Sequence, residues 1–293
     1  MWVKSFILDR KSQNVSAGTI YYYEAKLKVV VKFCNELGIT QVDQFTPDHH
    51  RLLMLYLEDQ GHNPGGRHAF FRAFKAFYRW WRLEAGKEHE PYLYNRAKAP
   101  KVPEKLMDPL SMEEVQQMLA LCDSKTFLGA RDKALLLFLL DTGVRASEAL
   151  GVSLEDIDPD TFDVKIRFGK GGKERWVFMG TKTRRAIKDY LRKRHDSRSV
   201  LWVSNEGEPL TYFGMWSMIK RLASKAGVAK AGAHMIRRTN AVTMIENGAD
   251  EFALQTELGH ASITTTRRYV KQSRQALRRI HERSGPVDNQ LGG

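Results

Sequence analysis

A short stretch that suits neither helix nor sheet divides this chain. Asn95-Arg96-Ala97-Lys98-Ala99-Pro100-Lys101-Val102-Pro103-Glu104-Lys105 carries two prolines, a run of basic side chains and no apolar period. Proline lacks the N–H that a helix interior needs, and it pushes the residue before it toward extended backbone. Such a segment reads as an extended, charged linker between two folding units. The expected layout is a helical domain over 1–97, a linker over 98–107, a second domain over 108–283 and a flexible tail over 284–293. A chain of 293 residues has ample length for a buried core in each.

Upstream of the break the pattern is almost entirely helical. An apolar-periodic stretch from about Ala17 to Leu37 stops at Gly38. Thr46 is placed to cap a helix with Pro47 at its first position, running to Gln60 before Gly61. A third helix, from about Gly66 to Ala85, carries Phe70, Phe71, Phe74, Phe77, Tyr78, Trp80 and Trp81 beside Arg67, Arg72, Lys75, Arg79 and Arg82. Aromatic and basic residues interleaved in this way serve either a core helix with a solvated cationic face or a surface that meets bases and phosphates.

Downstream, Ser111-Met112-Glu113-Glu114 is a capping box opening a helix to about Cys122. A leucine-rich buried helix is expected from about Leu128 to Thr142, closed by Gly143. Residues 162–168 and 175–179 alternate as strands around a Gly169–Lys173 hairpin turn. A helix over about 182–194, a short strand Val200–Ser204 and further helices from Tyr212 complete the pattern. The fold class is therefore mainly α with a small β-sheet: a helical N-terminal domain followed by an α+β domain.

Forty-seven Lys and Arg against 34 Asp and Glu leave a net charge of +13. Residues 1–100 hold 15 basic and 10 acidic side chains and the remainder 32 and 24, so both parts are basic. A surplus of that size suits a polyanionic partner, nucleic acid above all. Cys34 and Cys122 stand far apart with no metal-binding spacing, which points to a reducing compartment and to no metal. The longest strongly apolar run, Ala134–Leu140, falls far short of a membrane span, and the first residues lack a signal-peptide pattern. The expectation is an intracellular protein without a membrane partner.

Five pieces carry chemistry: Arg145 in Thr142-Gly143-Val144-Arg145-Ala146-Ser147-Glu148, Lys170 in Gly169-Lys170-Gly171-Gly172-Lys173, His234-Met235-Ile236-Arg237, Leu258-Gly259-His260, and Tyr269. Taken singly, each has an ordinary structural reading as an ion pair, a polar hairpin tip, a solvated helix face or a helix stop. Jointly they supply what a metal-free attack on a phosphodiester needs. His234 and Arg237 lie one helical turn apart, so that imidazole and guanidinium can reach one phosphate. Tyrosine, with a pKa of about 10, is a poor nucleophile unless cations favour its phenolate. A lysine on a glycine-rich turn can protonate a leaving alkoxide, and Lys170 and Lys173 are both eligible.

The order T-G-V-R-A-S-E, G-K-G-G-K-E-R, H-M-I-R, L-G-H and Tyr269, with Glu246-Asn247-Gly248-Ala249-Asp250 between the last boxes, resembles the tyrosine recombinase family (phage integrase and Xer-type site-specific recombinases). The motifs cover about 108–275. The resemblance implies a SAM-like core-binding domain followed by a catalytic domain. Tyr269 would form a 3′-phosphotyrosyl bond to DNA, Arg145 and Arg237 would hold the non-bridging oxygens, and His234 and His260 would assist at the phosphate. Lys170 fits the general acid better than Lys173, and Glu148 would brace the site. Arg238-Thr239-Asn240 departs from the family pattern after HxxR. DNA contacts are expected from Arg67, Arg72, Lys75, Arg79, Lys98, Lys101, Lys173, Arg238 and Arg267.

The partners implied are double-stranded DNA with an inverted-repeat core site, a homotetramer on DNA that exchanges strands through a Holliday junction, and accessory proteins. No cofactor is implied, and the setting is the cytoplasm at the nucleoid. The segment Lys271–Arg283 would dock on a neighbouring protomer. Two other readings share these residues: a type IB topoisomerase that relaxes DNA, and a catalytically idle DNA-binding regulator.

Overall fold

The computed structural model describes residues 1–103, 108–167 and 174–259 together with Arg278. The chain forms two compact units, Met1–Lys105 and Leu106–Gly293. It is mainly α with one small sheet, as the sequence pattern predicts. Among the described residues no helix is long and apolar enough to cross a membrane.

The first unit contains helices α1 (Trp2–Ser12), α2 (Ala17–Glu36), α3 (Pro47–Asp59) and α4 (Pro64–Glu84). Each of the last three starts where a side chain takes up an orphan N–H: Ser16 from Thr19, Thr46 from His49, Asn63 from Gly66. Asn63 with Pro64 behind it starts α4 two residues earlier than the expected Gly66.

The aromatic side of α4 is core. Phe70, Phe71, Phe74, Phe77, Tyr78, Trp80 and Trp81 are all buried, against Phe6, Phe45 and Tyr94 among others. Burial of such side chains stabilises the unit by about 2 kcal/mol each, which rules out their use as stacking platforms for bases. On the opposite side Arg72, Lys75 and Arg79 are exposed, whereas Arg67 is held by Glu58 at 2.7 Å. The core continues past α4: Leu93, Tyr94 and Ala97 are buried in it and Ala99 packs against it. Lys98 and Lys101 point to solvent from the segment that follows.

The second unit is built around α6 (Phe127–Thr142), flanked by α8 (Thr181–Leu191) and α10 (Ala233–Glu246). Ala134, Leu135, Phe138 and Leu139 are at most 1% exposed, which is why α6 has leucines all round rather than an apolar stripe. Thr126 caps its start. Its end is Gly143 at φ +57°, a left-handed conformation that glycine adopts without penalty. Other helices among the described residues are α5 (Met112–Ala120), α7 (Ala146–Leu150), α9 (Tyr212–Lys225) and α11 (Glu251–Leu258).

The sheet is one antiparallel pair, β1 (Val164–Ile166) with β2 (Arg175–Val177), in register Val164↔Val177 and Ile166↔Arg175. Both strands are shorter than expected. Phe162 at φ +61° turns the chain just before β1, and residues 168–173 lie outside the described residues. The expected strand Val200–Ser204 forms only single bridges, Ser153↔Val200 and Val203↔Pro209. Its backbone bonds to Val152, Glu208 and Leu210 and is also tied to a side chain: the Tyr190 hydroxyl donates to the Leu201 carbonyl and accepts from the Val203 N–H, both at 3.1 Å. The helix expected to reach residue 194 ends at Leu191, because Arg194 turns back to Asp196 and the Val200 carbonyl.

Candidate active site

Arg145 lies just beyond the left-handed turn at Gly143 and caps α7. Its backbone N–H donates to Glu148 Oε2 at 2.8 Å, and its Nη1 meets Glu148 Oε1 at 2.6 Å. The Glu148 side chain is 1% exposed, so its charge needs partners. It has a second one in Arg175, the first residue of β2, at 2.8 and 3.2 Å. Burial alone would raise the Glu148 pKa; hydrogen bonds and charge from Arg175 and Arg145 overcome that and hold it at about 2. Glu148 is therefore an anion at every physiological pH and serves no proton transfer there.

The expected pair on α10 divides in depth. Arg237 is 3% exposed and donates through Nη1 to the Gly143 carbonyl at 2.7 Å and through Nη2 to the Leu258 carbonyl at 2.8 Å. His234 is exposed one turn earlier. Desolvation, together with Arg237 and Arg238, lowers its pKa, which favours the neutral ring.

Three of the arginines converge on the end of α11. The carbonyls of Glu257, Leu258 and Gly259 accept from Arg175, Arg237 and Arg145 respectively, at 2.8, 2.8 and 3.0 Å. A helix C-terminus leaves its last carbonyls without helical partners and carries partial negative charge, so three guanidinium groups are well matched to it. Gly259, at φ +63°, then turns the chain immediately before His260. Three strands of sequence far apart in the chain thus fix the position from which His260 departs.

Asn240 completes the frame. Its Nδ2 donates to the carbonyls of Leu140 and Asp141 at 2.8 and 3.0 Å, and it closes the end of α6. A Cβ on Gly143 would lie 2.7 Å from Leu258 Cδ2 and closer still to Asn240 Oδ1. Glycine at 143 is required both by the backbone angle and by this close approach.

Of the expected catalytic residues, Arg145, His234 and Arg237 are placed, and their elements meet at Leu258–Gly259. Lys170, His260 and Tyr269 lie outside the described residues, as do Lys173, Arg267 and, except for Arg278, the segment 271–283. Arg238 sits beside Arg237 on α10, partly buried. Sequence reading missed Arg175 and Asn240. Arg175 ends the G-K-G-G-K-E-R run and Asn240 stands in the unusual Arg238-Thr239-Asn240 triplet; both were visible as parts of motifs, without a role attached.

Comparison with known proteins shows the family. Residues 109–276, more than half of the chain, match the phage integrase family. Tyrosine recombinase XerC 2 of Ralstonia nicotianae is 33% identical over 288 residues, covering 93% of this chain and 82% of its own length. Tyrosine recombinase XerD of Staphylococcus saprophyticus is 30% identical over 281 residues, covering 94% of each. Among solved structures, the XerH site-specific recombinase in a post-cleavage complex with its palindromic difH substrate superposes with a TM-score of 0.72 at 23% identity, covering 94% of this chain and 81% of that one. The lambda integrase dimer on a core site gives 0.74 at 16%, covering 90% and 95%, a likeness of fold. The chain belongs to the phage integrase family, the tyrosine-type site-specific recombinases that break and rejoin DNA.

Proposed function

We propose that this protein cleaves and rejoins duplex DNA at a specific site through a 3′-phosphotyrosyl intermediate. The observation that carries the reading is the shared anchorage of Arg145 and Arg237 on the turn Leu258–Gly259, directly before His260. That arrangement anchors two cationic groups on one turn, which suits a phosphodiester gaining charge in a pentacoordinate transition state.

In this mechanism the Tyr269 oxygen attacks phosphorus as the P–O5′ bond breaks. Lys170 gives its proton to the departing 5′ oxygen, and His234 takes the phenol proton. Arg145 and Arg237 hold the non-bridging oxygens, and His260 adds a further hydrogen bond. The phosphotyrosyl bond keeps the energy of the broken one, so attack by a 5′-hydroxyl from a second duplex reseals the strand without a cofactor. Four protomers on paired inverted-repeat sites, exchanging strands by way of a Holliday junction, give recombinant products; accessory proteins can set which sites pair. The two basic units track the duplex, with Arg72, Lys75, Arg79, Lys98 and Lys101 from the first and Lys173, Arg238 and Arg267 from the second. The palindromic substrate of XerH supports the inverted repeat. The bacterial relatives support action in the cytoplasm, at the nucleoid.

The test uses a duplex that the protein itself selects from a randomised pool, nicked near the cleavage point so that the covalent product accumulates. Wild type should form a protein–DNA adduct, and Tyr269→Phe should bind the duplex and form none. An adduct with the Phe variant would remove Tyr269 from its role. Relaxation of plasmids lacking the site, without recombinant products, would indicate a type IB topoisomerase instead, and binding without any adduct an idle regulator.

A further inference from the structure

We propose that Arg175 is a positioning residue for the cleavage reaction, holding the Arg145 guanidinium and the turn before His260 in one rigid frame; this rests on the recombinase reading above. Arg175 touches three parts of the site and none of them is its neighbour in sequence. Two of its nitrogens bind both oxygens of Glu148, which in turn binds Arg145 by side chain and backbone. Its Nε donates to the Glu257 carbonyl at 2.8 Å. Its plane also lies flat against Gly259: a Cβ there would stand 3.1 Å from Arg175 Cζ and Nη1. A bare Cα at 259 is what allows the guanidinium to sit under the residue that precedes His260.

The side chain is 11% exposed, and its charge is matched by a carboxylate that is 1% exposed. A bidentate guanidinium–carboxylate pair fixes angle as well as distance, and Arg is the one side chain able to do this while giving a third donor to a carbonyl. With Arg175 removed, Glu148 would keep Arg145 alone, and the Glu257 carbonyl would lose its donor. Arg145 and the turn at Gly259 could then shift independently. Displacement of a catalytic group by about 1 Å costs on the order of 10²-fold in rate.

Arg175 also begins β2, which follows Lys170 in sequence, so an action through the lysine is the alternative to be separated. Its observed contacts are with Glu148 and the Glu257–Gly259 turn, and leaving-group chemistry separates the two. A duplex with sulfur in place of the bridging 5′ oxygen releases a thiolate, which needs no proton. Single-turnover cleavage of the selected, nicked duplex should be compared for wild type, Arg175→Ala, Arg175→Lys and Lys170→Ala, with both leaving groups.

The proposal expects Arg175→Ala to bind the duplex within about two-fold of wild type, since one buried arginine adds little to a surface held by many phosphate contacts. Its cleavage rate should fall about 10²-fold with oxygen and equally with sulfur, whereas sulfur restores Lys170→Ala. Arg175→Lys, which keeps the charge without the fork, should fall between. The rate constant is read apart from the burst amplitude, which reports the fraction folded. A reduced amplitude with a wild-type rate constant would mean that Arg175 only stabilises the fold, and would overturn the proposal. Rescue of Arg175→Ala by sulfur would overturn it in favour of action through the hairpin. A wild-type protein that forms no adduct on either duplex would instead overturn the recombinase reading, and this proposal with it.

Discussion

Replacing Glu148 with Gln isolates the charge at the centre of the arginine frame. Glutamine keeps the size of the side chain and an oxygen for the Arg145 N–H, so the capping interaction of α7 survives and the change is electrostatic. The carboxyl moves from an ordinary 4.5 to about 2 in the folded protein. At about 1.4 kcal/mol per pKa unit, the charged form contributes about 3 kcal/mol to stability. Removing one partner from a buried ion pair costs about 3–5 kcal/mol by general experience. Arg145 is 28% exposed and can be partly hydrated, which favours the lower end.

The contribution has a definite pH profile. It is fully present above pH 4.5, where Glu148 is ionised folded or unfolded. It declines as pH falls from there toward 2, because the unfolded chain takes up the proton first. Urea unfolding of wild type and Glu148→Gln, followed by amide exchange of α6 so that only the second unit is read, should differ by about 3 kcal/mol at pH 7. The difference should shrink steadily between pH 4.5 and pH 2. A difference below about 1 kcal/mol at pH 7, or one that stays constant down to pH 2.5, would refute the account of Glu148 as a paired anion.

Gly143→Ala combines a left-handed backbone angle with a collision against Leu258 and Asn240. It should destabilise the second unit by about 2–4 kcal/mol in the same measurement and abolish adduct formation. DNA affinity should fall by about 10³-fold or more between 50 and 200 mM salt, as expected for six to ten phosphate contacts. Binding that is flat with salt, measured by fluorescence anisotropy, would contradict a basic surface that follows the backbone.

Much of this was legible in the sequence, for reasons that can be named. Gly143 and Gly259 end helices, and helix ends are marked by residue types that tolerate positive φ. The i, i+3 spacing of His234 and Arg237 put them on one helix before any coordinates. The aromatic residues of α4 were ambiguous by pattern, since core packing and base stacking select the same side chains; only their burial decides. Asn240 is silent in the sequence because its partners are the Leu140 and Asp141 carbonyls, and Arg175 because its partners, the Glu148 carboxylate and the Glu257 carbonyl, lie far from it along the chain. Strand limits were overestimated at Phe162 because a single αL residue can stop a strand in mid-pattern. Val200–Ser204 reads as a strand because its alternation is real, but the Tyr190 hydroxyl occupies the Leu201 carbonyl and the Val203 N–H, two groups that a neighbouring strand would use.

The three arginines on Glu257, Leu258 and Gly259 also bear on when the site comes into being. Helix α11 has eight residues, too few to persist alone in water. Its end is secured only after β2, α7 and α10 have each delivered an arginine to successive carbonyls. An intermediate lacking any one of these elements has a frayed turn where His260 begins, and Arg145 or Arg237 without its anchor. DNA-cutting competence should therefore appear late in folding and all at once. A nascent or damaged chain can hold nucleic acid by its basic surfaces long before it is able to break it.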